Sequence, residues 1–305
     1  MNSIDQVQLN FNPASLITLN IVLALVMFGI ALDLRLSAFQ AVIKKPRAPI
    51  IGLLAQFVLL PAFTYLLVRL IEPHPSVALG MMLVAACPGG NLSNFFTHFS
   101  RGNTALSVSM TAVSSALAVF LTPLNLALWS SLYEPTASLL REVDLDGMDM
   151  FINVLLILGL PLVLGLIVSH RFSSLAILLK KPFRYISLTF FVLFVLAALA
   201  ANWDNFLAHI HLVAGIVFVH NLVALLCGYG LAFLTRLPAF DRRAITVEVG
   251  IQNSGLGLTL IFNFFGGMGG MALIAAWWGI WHIISGLTLS TIWSRQALPE
   301  HEEHF

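Results

Sequence analysis

Charge is the scarcest thing in this chain. Only 10% of its 305 residues are Asp, Glu, Lys or Arg, against about 25% in an ordinary soluble domain. The formal net charge is +1 and no basic run alternates with aromatics, so the sequence offers no basis for nucleic-acid binding. Cysteine is almost absent: Cys87 and Cys227 are the pair, each inside an apolar segment. With no C-x-x-C spacing they read as small packing residues rather than a disulfide or a metal pair. A Walker-type phosphate loop is missing, which removes ATP-driven transport by this chain alone. His98, His220 and His282 lie in or near apolar segments without zinc-site spacing. They are assigned to packing or interhelical hydrogen bonding, with substrate contact as the alternative. Residues 1–14 lack the basic opening of a cleavable signal, so the first apolar stretch is expected to stay.

What the chain has in abundance is hydrophobic length. Fully 59% of it is hydrophobic and the mean hydropathy is +0.93. Apolar runs able to cross a hydrocarbon core of roughly 30 Å recur throughout. The expected fold is therefore an all-α polytopic membrane protein with about nine spans: 15–32, 50–70, 76–99, 104–132, 150–169, 185–201, 212–235, 244–265 and 271–294. An extracytoplasmic segment 1–14 precedes this transmembrane domain (15–294), and a tail 295–305 follows it. Of the 15 Lys and Arg residues, all but Arg69 and Arg141 fall in one alternating set of loops. Lys and Arg concentrate on the cytoplasmic side of a membrane, which predicts an external N-terminus and a cytoplasmic C-terminus. The plasma membrane (the inner membrane of a bacterial cell) is the expected location. The acidic stretch from Arg141 to Asp149 then lies outside as a solvated connector or surface helix, and the tail is expected to be disordered.

Two spans carry breakers at their centres: Cys87-Pro88-Gly89-Gly90-Asn91 in the third and Gly250-Ile251-Gln252-Asn253-Ser254-Gly255 in the eighth. Interrupted segments at corresponding positions of two halves point to a transporter binding site. Spans three and eight are five apart, an odd offset that reverses orientation. Pairing spans 1–4 with 6–9 thus yields inverted repeats with discontinuous helices, and span five stays unpaired. Ordinary kinks are the simpler reading of either break alone.

Glu248 is the one carboxylate deep inside a hydrophobic segment, beside Gln252, Asn253, Ser254 and the glycine taken to interrupt the helix, Gly255. A charge at that depth costs several kcal/mol on insertion scales and marks ion paths, relays or binding sites. Ser93 and Asn94 follow the first break, Ser107 and Thr111 share a face of the fourth span at i, i+4, and Gln56 sits mid-span in the second. Taken singly, the hydroxyls could bond back to their own helices and Gln56 could be interhelical glue. If the broken helices cross, all of them could converge on Glu248, offering the oxygen ligands a hard cation requires.

Three stretches resemble the bile acid:sodium symporter family: residues 87–94 with 106–111, residues 247–255, and Trp281-His282-Ile283-Ile284-Ser285-Gly286. Residues 27–32 and 54–57 are also similar, and the resemblance runs from about residue 16 to 292. It implies a core domain of spans 2–4 and 7–9, a panel of spans 1, 5 and 6, and two crossing discontinuous helices. It also implies two sodium sites. One would use Ser93, Asn94, Ser107, Thr111 and Glu248; the other Gln56, Glu248, Gln252 and the main-chain oxygens of Val249 and Ile251. Asn91, Asn253, Ser254 and His282 would face the substrate. Asn91 stands where the family commonly carries Thr and Ile283 where it usually carries Asn, departures that bear on substrate identity rather than mechanism.

Two sodium ions beside one carboxylate leave a local charge of +1 in a medium where charge is expensive. A monoanion would neutralise it, helped by the positive N-termini of half-helices at Asn91 and at Ser254–Gly255. The expectation is electrogenic symport of about two sodium ions with an organic anion, which the family resemblance implies to be a bile acid or a smaller carboxylate such as pantoate. No obligate protein partner is evident. A proton-coupled carrier using Glu248 as relay is the main alternative. A channel, a ligand-binding sensor and an intramembrane enzyme rank lower, the last because no nucleophile or metal constellation completes a site.

Overall fold

The computed structural model describes residues 42–142, 155–201 and 203–296, with scattered positions between 21 and 40 and at 152. The segment 1–14, most of the first span, most of the acidic stretch and the end of the tail lie outside the described residues. The described chain is almost wholly helical, and its one β element is an isolated bridge. Eleven helices follow in order: α1 Arg47–Ile71, α2 Pro75–Ala86, α3 Leu92–Phe99, α4 Thr104–Ser131, α5 Glu134–Glu142, α6 Leu160–Arg171, α7 Ser173–Ala201, α8 Trp203–Leu234, α9 Ala239–Gly250, α10 Ser254–Phe264 and α11 Gly269–Ser294.

Among the described residues, four helical stretches are each long and apolar enough to cross a bilayer: Arg47–Ile71, Thr104–Ser131, Ile210–Leu234 and Gly269–Ser294. Their polarity is inverted relative to a soluble protein. Along α1, Ile50, Leu54, Val58, Leu66 and Leu70 are exposed, whereas Gln56 and Thr64 are fully buried. A surface of this kind is stable only against hydrocarbon. α1 is not a uniform helix: Ala55–Leu59 forms a π turn in which Leu60 N–H reaches back to the Ala55 carbonyl. Pro61 follows, and a proline has no N–H to continue the ladder. The same pairing recurs at Leu155–Gly159 ahead of Pro161. In α1 the π turn carries Gln56, and such bulges gather at functional sites.

Third and eighth spans are interrupted as expected, into α2 and α3 and into α9 and α10. The second interruption is shorter than the sequence indicated, however. Gly255 belongs to the first turn of α10, and only Ile251, Gln252 and Asn253 are non-helical. Asn253 accepts the Leu256 N–H at 3.0 Å, capping the helix two residues ahead of the glycine. α7 and α8 both begin earlier than their apolar stretches, at Ser173 and Trp203, because a helix continues past the hydrocarbon boundary through polar turns. Close packing through glycine positions α9: a Cβ at Gly228 would come within 2.9 Å of the Thr246 Cα.

Loops assigned to one side of the membrane do meet at one end of the bundle. Arg47 donates to the Thr235 carbonyl at 2.7 Å, and Asn103 N–H donates to the Phe240 carbonyl at 3.0 Å. Buried Arg243 holds the carbonyls of Ser100, Trp293 and Gln296 at 2.7, 3.1 and 3.2 Å, tying the C-terminal ends of α3 and α11 together. Cations suit helix C-termini, where carbonyls are left over. Asn103 caps α4 through the Leu106 N–H (3.0 Å) and donates to Asp241 at 2.7 Å. Asn103→Ala is therefore expected to lower stability by about 1–2 kcal/mol, the usual cost of a lost cap. An unchanged unfolding midpoint would show that the cap contributes nothing.

Candidate cation-binding site

Breaking a helix in a membrane frees carbonyls and N–H groups that water cannot reach, so each needs a protein partner. Pro88 forces the first break by driving Cys87 into an extended conformation, φ −70° and ψ 155°. The freed carbonyls are then taken one by one. Ala86 accepts from Thr122 Oγ1 at 2.8 Å, and Cys87 accepts from Gln56 Nε2 at 2.8 Å. Pro88 accepts from the Asn253 N–H at 2.9 Å, while Gly90 N–H donates to the Ile251 carbonyl at 2.6 Å. These last two bonds pair the interruptions with each other, as an antiparallel bridge between Gly89 and Gln252. The second break is closed by Asn221, whose Nδ2 donates to the Gly250 carbonyl at 2.8 Å.

At this junction the first group of oxygens assembles. Glu248 is 1% exposed. Its Oε2 accepts from Ser93 Oγ at 2.5 Å and from Ser107 Oγ at 3.0 Å, and its Oε1 accepts from Thr111 Oγ1 at 2.7 Å. Asn94 Oδ1 lies 3.4 Å from Thr111 Oγ1. Three helices thus bring four oxygen-bearing side chains together at one carboxylate, three of them in direct contact and Asn94 through Thr111. Among the described residues no Lys or Arg pairs with Glu248. Hydroxyls alone do not cancel a buried negative charge; a cation or a proton would.

The second group is gathered but differently engaged. Gln56 and Gln252 pair through both amides, at 2.9 Å from Gln56 Nε2 and 3.2 Å from Gln252 Nε2. Gln252 Nε2 also donates to the Val249 carbonyl at 2.6 Å, and the Ile251 carbonyl is held by Gly90. The hydrogen bonds of Glu248 all go to the first group. For these amides to serve a cation, their oxygens must turn away from each other.

Of the remaining residues, Asn91 is exposed at the start of α3 and Asn253 is spent as the α10 cap. Ser254 is buried against α11, where a Cβ on Gly279 would come within 2.8 Å of its Oγ. On the same face of α11, Gly286 abuts Ile251. His282 lies between these glycines and is buried, which places it beside the second interruption. His220 takes a packing role: its Nε2 meets Thr64 Oγ1 at 2.7 Å, and its ring stands edge-on to Trp278 at 4.7 Å. Both cysteines are buried and free.

Sequence reading missed Asn221, though a carboxamide inside an apolar span was a signal. It also missed how closely the chain passes at Gly89: a Cβ there would lie 2.3 Å from Glu248 Oε1.

A surface of exposed apolar side chains, two paired interruptions and a buried carboxylate ringed by oxygens are features that a cation-coupled membrane transporter would need. Comparison with known proteins agrees. A profile of the Sodium Bile acid symporter family matches residues 20–209. A protein of Bacillus subtilis (strain 168), described as the uncharacterized sodium-dependent transporter YocS, is 33% identical over 95% of this chain and 88% of its own length. The probable sodium/metabolite cotransporter BASS1, chloroplastic, of Arabidopsis thaliana is 29% identical over 92% of the chain and 68% of its own. The ileal sodium/bile acid cotransporter of Homo sapiens is 29% identical over 80% of the chain and 68% of its own. The chain belongs to the sodium bile acid symporter family. Its relatives are sodium-dependent transporters; this is not an enzyme.

Proposed function

We propose that the chain is a secondary symporter coupling about two sodium ions to the movement of one organic anion across the plasma membrane. The observation that carries this reading is the convergence of Ser93, Ser107 and Thr111 on Glu248 beside the paired interruptions, with Asn94 against Thr111. The first sodium ion would bind those five side chains once the hydroxyls rotate their lone pairs toward it. The second would bind Glu248, Gln56, Gln252 and the carbonyls of Val249 and Ile251, breaking the amide pair. This ordering has a physical basis: oxygens gathered on the carboxylate are the quicker to yield, while the second group gives up four existing bonds.

Inverted repeats are supported by a correspondence at the two breaks. Gln56 in span two caps the carbonyl ending α2's unwound turn, and Asn221 in span seven caps the carbonyl ending α9. The same element of each half thus supplies a carboxamide to the same break. Nine spans, a core of spans 2–4 and 7–9 and a panel of spans 1, 5 and 6 would then rock to give alternating access. The basic end, with Arg47, Arg101, Arg236, Arg243 and Arg295, is the cytoplasmic one, leaving the N-terminus outside.

Substrate would meet Asn91, Asn253, Ser254 and His282. Two cations against one carboxylate favour a monoanion, of bile-acid size or a smaller carboxylate, as the names of the relatives suggest. Charge moved per substrate in proteoliposomes tests the stoichiometry: net inward positive charge is expected, and electroneutral uptake of a monovalent anion would overturn it. Gln252→Ala is expected to weaken the second sodium ion by about tenfold and leave the first nearly unchanged, the loss of one charge-assisted contact. Sodium titration by calorimetry reads both sites, and equal loss at each would contradict the assignment. Uptake driven by a proton gradient without sodium would favour proton coupling through Glu248 instead.

A further inference from the structure

We infer that the turn between α8 and α9 holds the phosphate headgroup of an anionic phospholipid. A cleft of about 480 Å³ opens there, lined by Phe233, Leu234, Arg236, Leu237 and Arg242. Its lining is mixed: the side chains of two arginines together with two exposed apolar side chains, Phe233 at 54% and Leu234 at 76%. A soluble anion has no use for that apolar rim, whereas a lipid presents a phosphate and an acyl chain side by side.

Both arginines are available. Among the described residues neither Arg236 nor Arg242 pairs with a carboxylate. The Arg242 guanidinium is held over the rings of Phe233 and Tyr229, at 5.4 and 6.0 Å from their centroids. Stacking of this kind fixes the plane of the group and leaves its N–H edge for an acceptor. Its Nε is buried with no hydrogen-bond partner. Buried donors of a charged group are rarely left unpaired, because the desolvation is then uncompensated. Arg236 sits just beyond the end of α8 with φ 55°. Glycine is the usual occupant of that left-handed position, so an arginine there comes at a conformational cost. The turn lies at the basic end of the bundle, directly after Ile210–Leu234, a helical stretch long and apolar enough to cross a bilayer, so a headgroup layer would fall at this level. Basic pockets between spans at that level suit anionic headgroups, each Arg or Lys adding about 1 kcal/mol.

Occupancy would brace α8 against α9, the half-helix that carries Glu248. The site makes no use of the sodium ligands, so it stands or falls apart from the transport reading.

The test uses the full-length protein, delipidated in neutral detergent and titrated with phosphatidylglycerol or phosphatidylcholine of identical acyl chains under native mass spectrometry. Phosphatidylglycerol is expected to bind at least tenfold more tightly than phosphatidylcholine. Arg236→Gln, at an exposed position, should weaken it about fivefold, and the Arg236→Gln/Arg242→Gln pair about 25-fold, following the contribution of each arginine. Arg242→Lys, which keeps the charge and loses the fork, should fall between wild type and Arg242→Gln. Arg295→Gln, exposed at the same end but outside the cleft, should change binding less than twofold. Equal binding of the two lipids would overturn the site. So would an Arg295→Gln effect as large as that of Arg236→Gln, since diffuse surface charge would then suffice. Displacement of phosphatidylglycerol by millimolar inorganic phosphate would replace the lipid with a soluble anion and equally refute it.

Discussion

Glu248→Gln is expected to abolish sodium-specific stabilisation of the folded protein and sodium-driven uptake with it. The substitution keeps the shape of the side chain. Its amide oxygen can still accept from Ser93 and Ser107 or from Thr111, and the displaced hydroxyls can rotate to accept from the new N–H₂ group. What disappears is the formal negative charge. A cation about 4 Å from a carboxylate at an effective dielectric of 20 gains about 4 kcal/mol, close to a 10³-fold change in affinity. In the wild type, sodium at a hundredfold excess over Kd should stabilise the fold by about 2.7 kcal/mol relative to potassium at equal ionic strength. The variant should unfold at the same temperature in both salts. If it kept sodium stabilisation within a factor of three in Kd, Glu248 would not be the cation ligand. If neither protein distinguished the salts while a proton gradient drove uptake, the carboxylate would be a proton carrier.

Gly89→Ala should be nearly as damaging, although it removes no ligand and no charge. The added Cβ would stand 2.3 Å from Glu248 Oε1 and 2.8 Å from its Cδ. A free carboxylate would swing aside at little cost. This one is held by three hydroxyls from α3 and α4, and Gly89 is held by the bridge to Gln252. Either the oxygens disperse or the interruptions part, and each outcome disassembles the site. Sodium affinity is expected to fall at least 100-fold, with a loss of stability in the 1–3 kcal/mol range of overpacked positions. Gly52→Ala is the control. Its Cβ would come within 2.2 Å of the Met110 Cε, but that atom ends a flexible side chain that can turn away. Gly52→Ala should bind sodium like the wild type. Matching losses in the two variants would show that tight packing in general, not the position of Glu248, is being measured.

The interruptions also show why unwound chain is stable in this place. Five of the freed carbonyls have donors from other spans: Thr122 from α4, Gln56 from α1, Asn221 from α8, and the opposite interruption itself. Polar side chains scattered through three apolar segments therefore serve one junction. Removing any of them leaves a buried acceptor unpaired, at about 1–3 kcal/mol.

Hydrophobic length, the rarity of charge and the sidedness of Lys and Arg were enough to establish a helical membrane protein with a basic end. Those properties are set by residue type and spacing along the chain, as is the first break, where Pro88 constrains its own neighbour. Glu248 was legible too, because one carboxylate in an apolar run is conspicuous without knowing what surrounds it. Its partners were only a possibility from sequence: Ser93 lies 155 residues away and Thr111 137. Only the tertiary structure decided that both reach it, that Gln56 and Gln252 satisfy each other, and that Gly255 is helical while Asn253 caps. Only there do Asn221 and Gly89 acquire roles. Periodicity and composition act within a turn or two of chain, whereas those contacts depend on where the helices cross, and crossing is set by packing of the whole bundle.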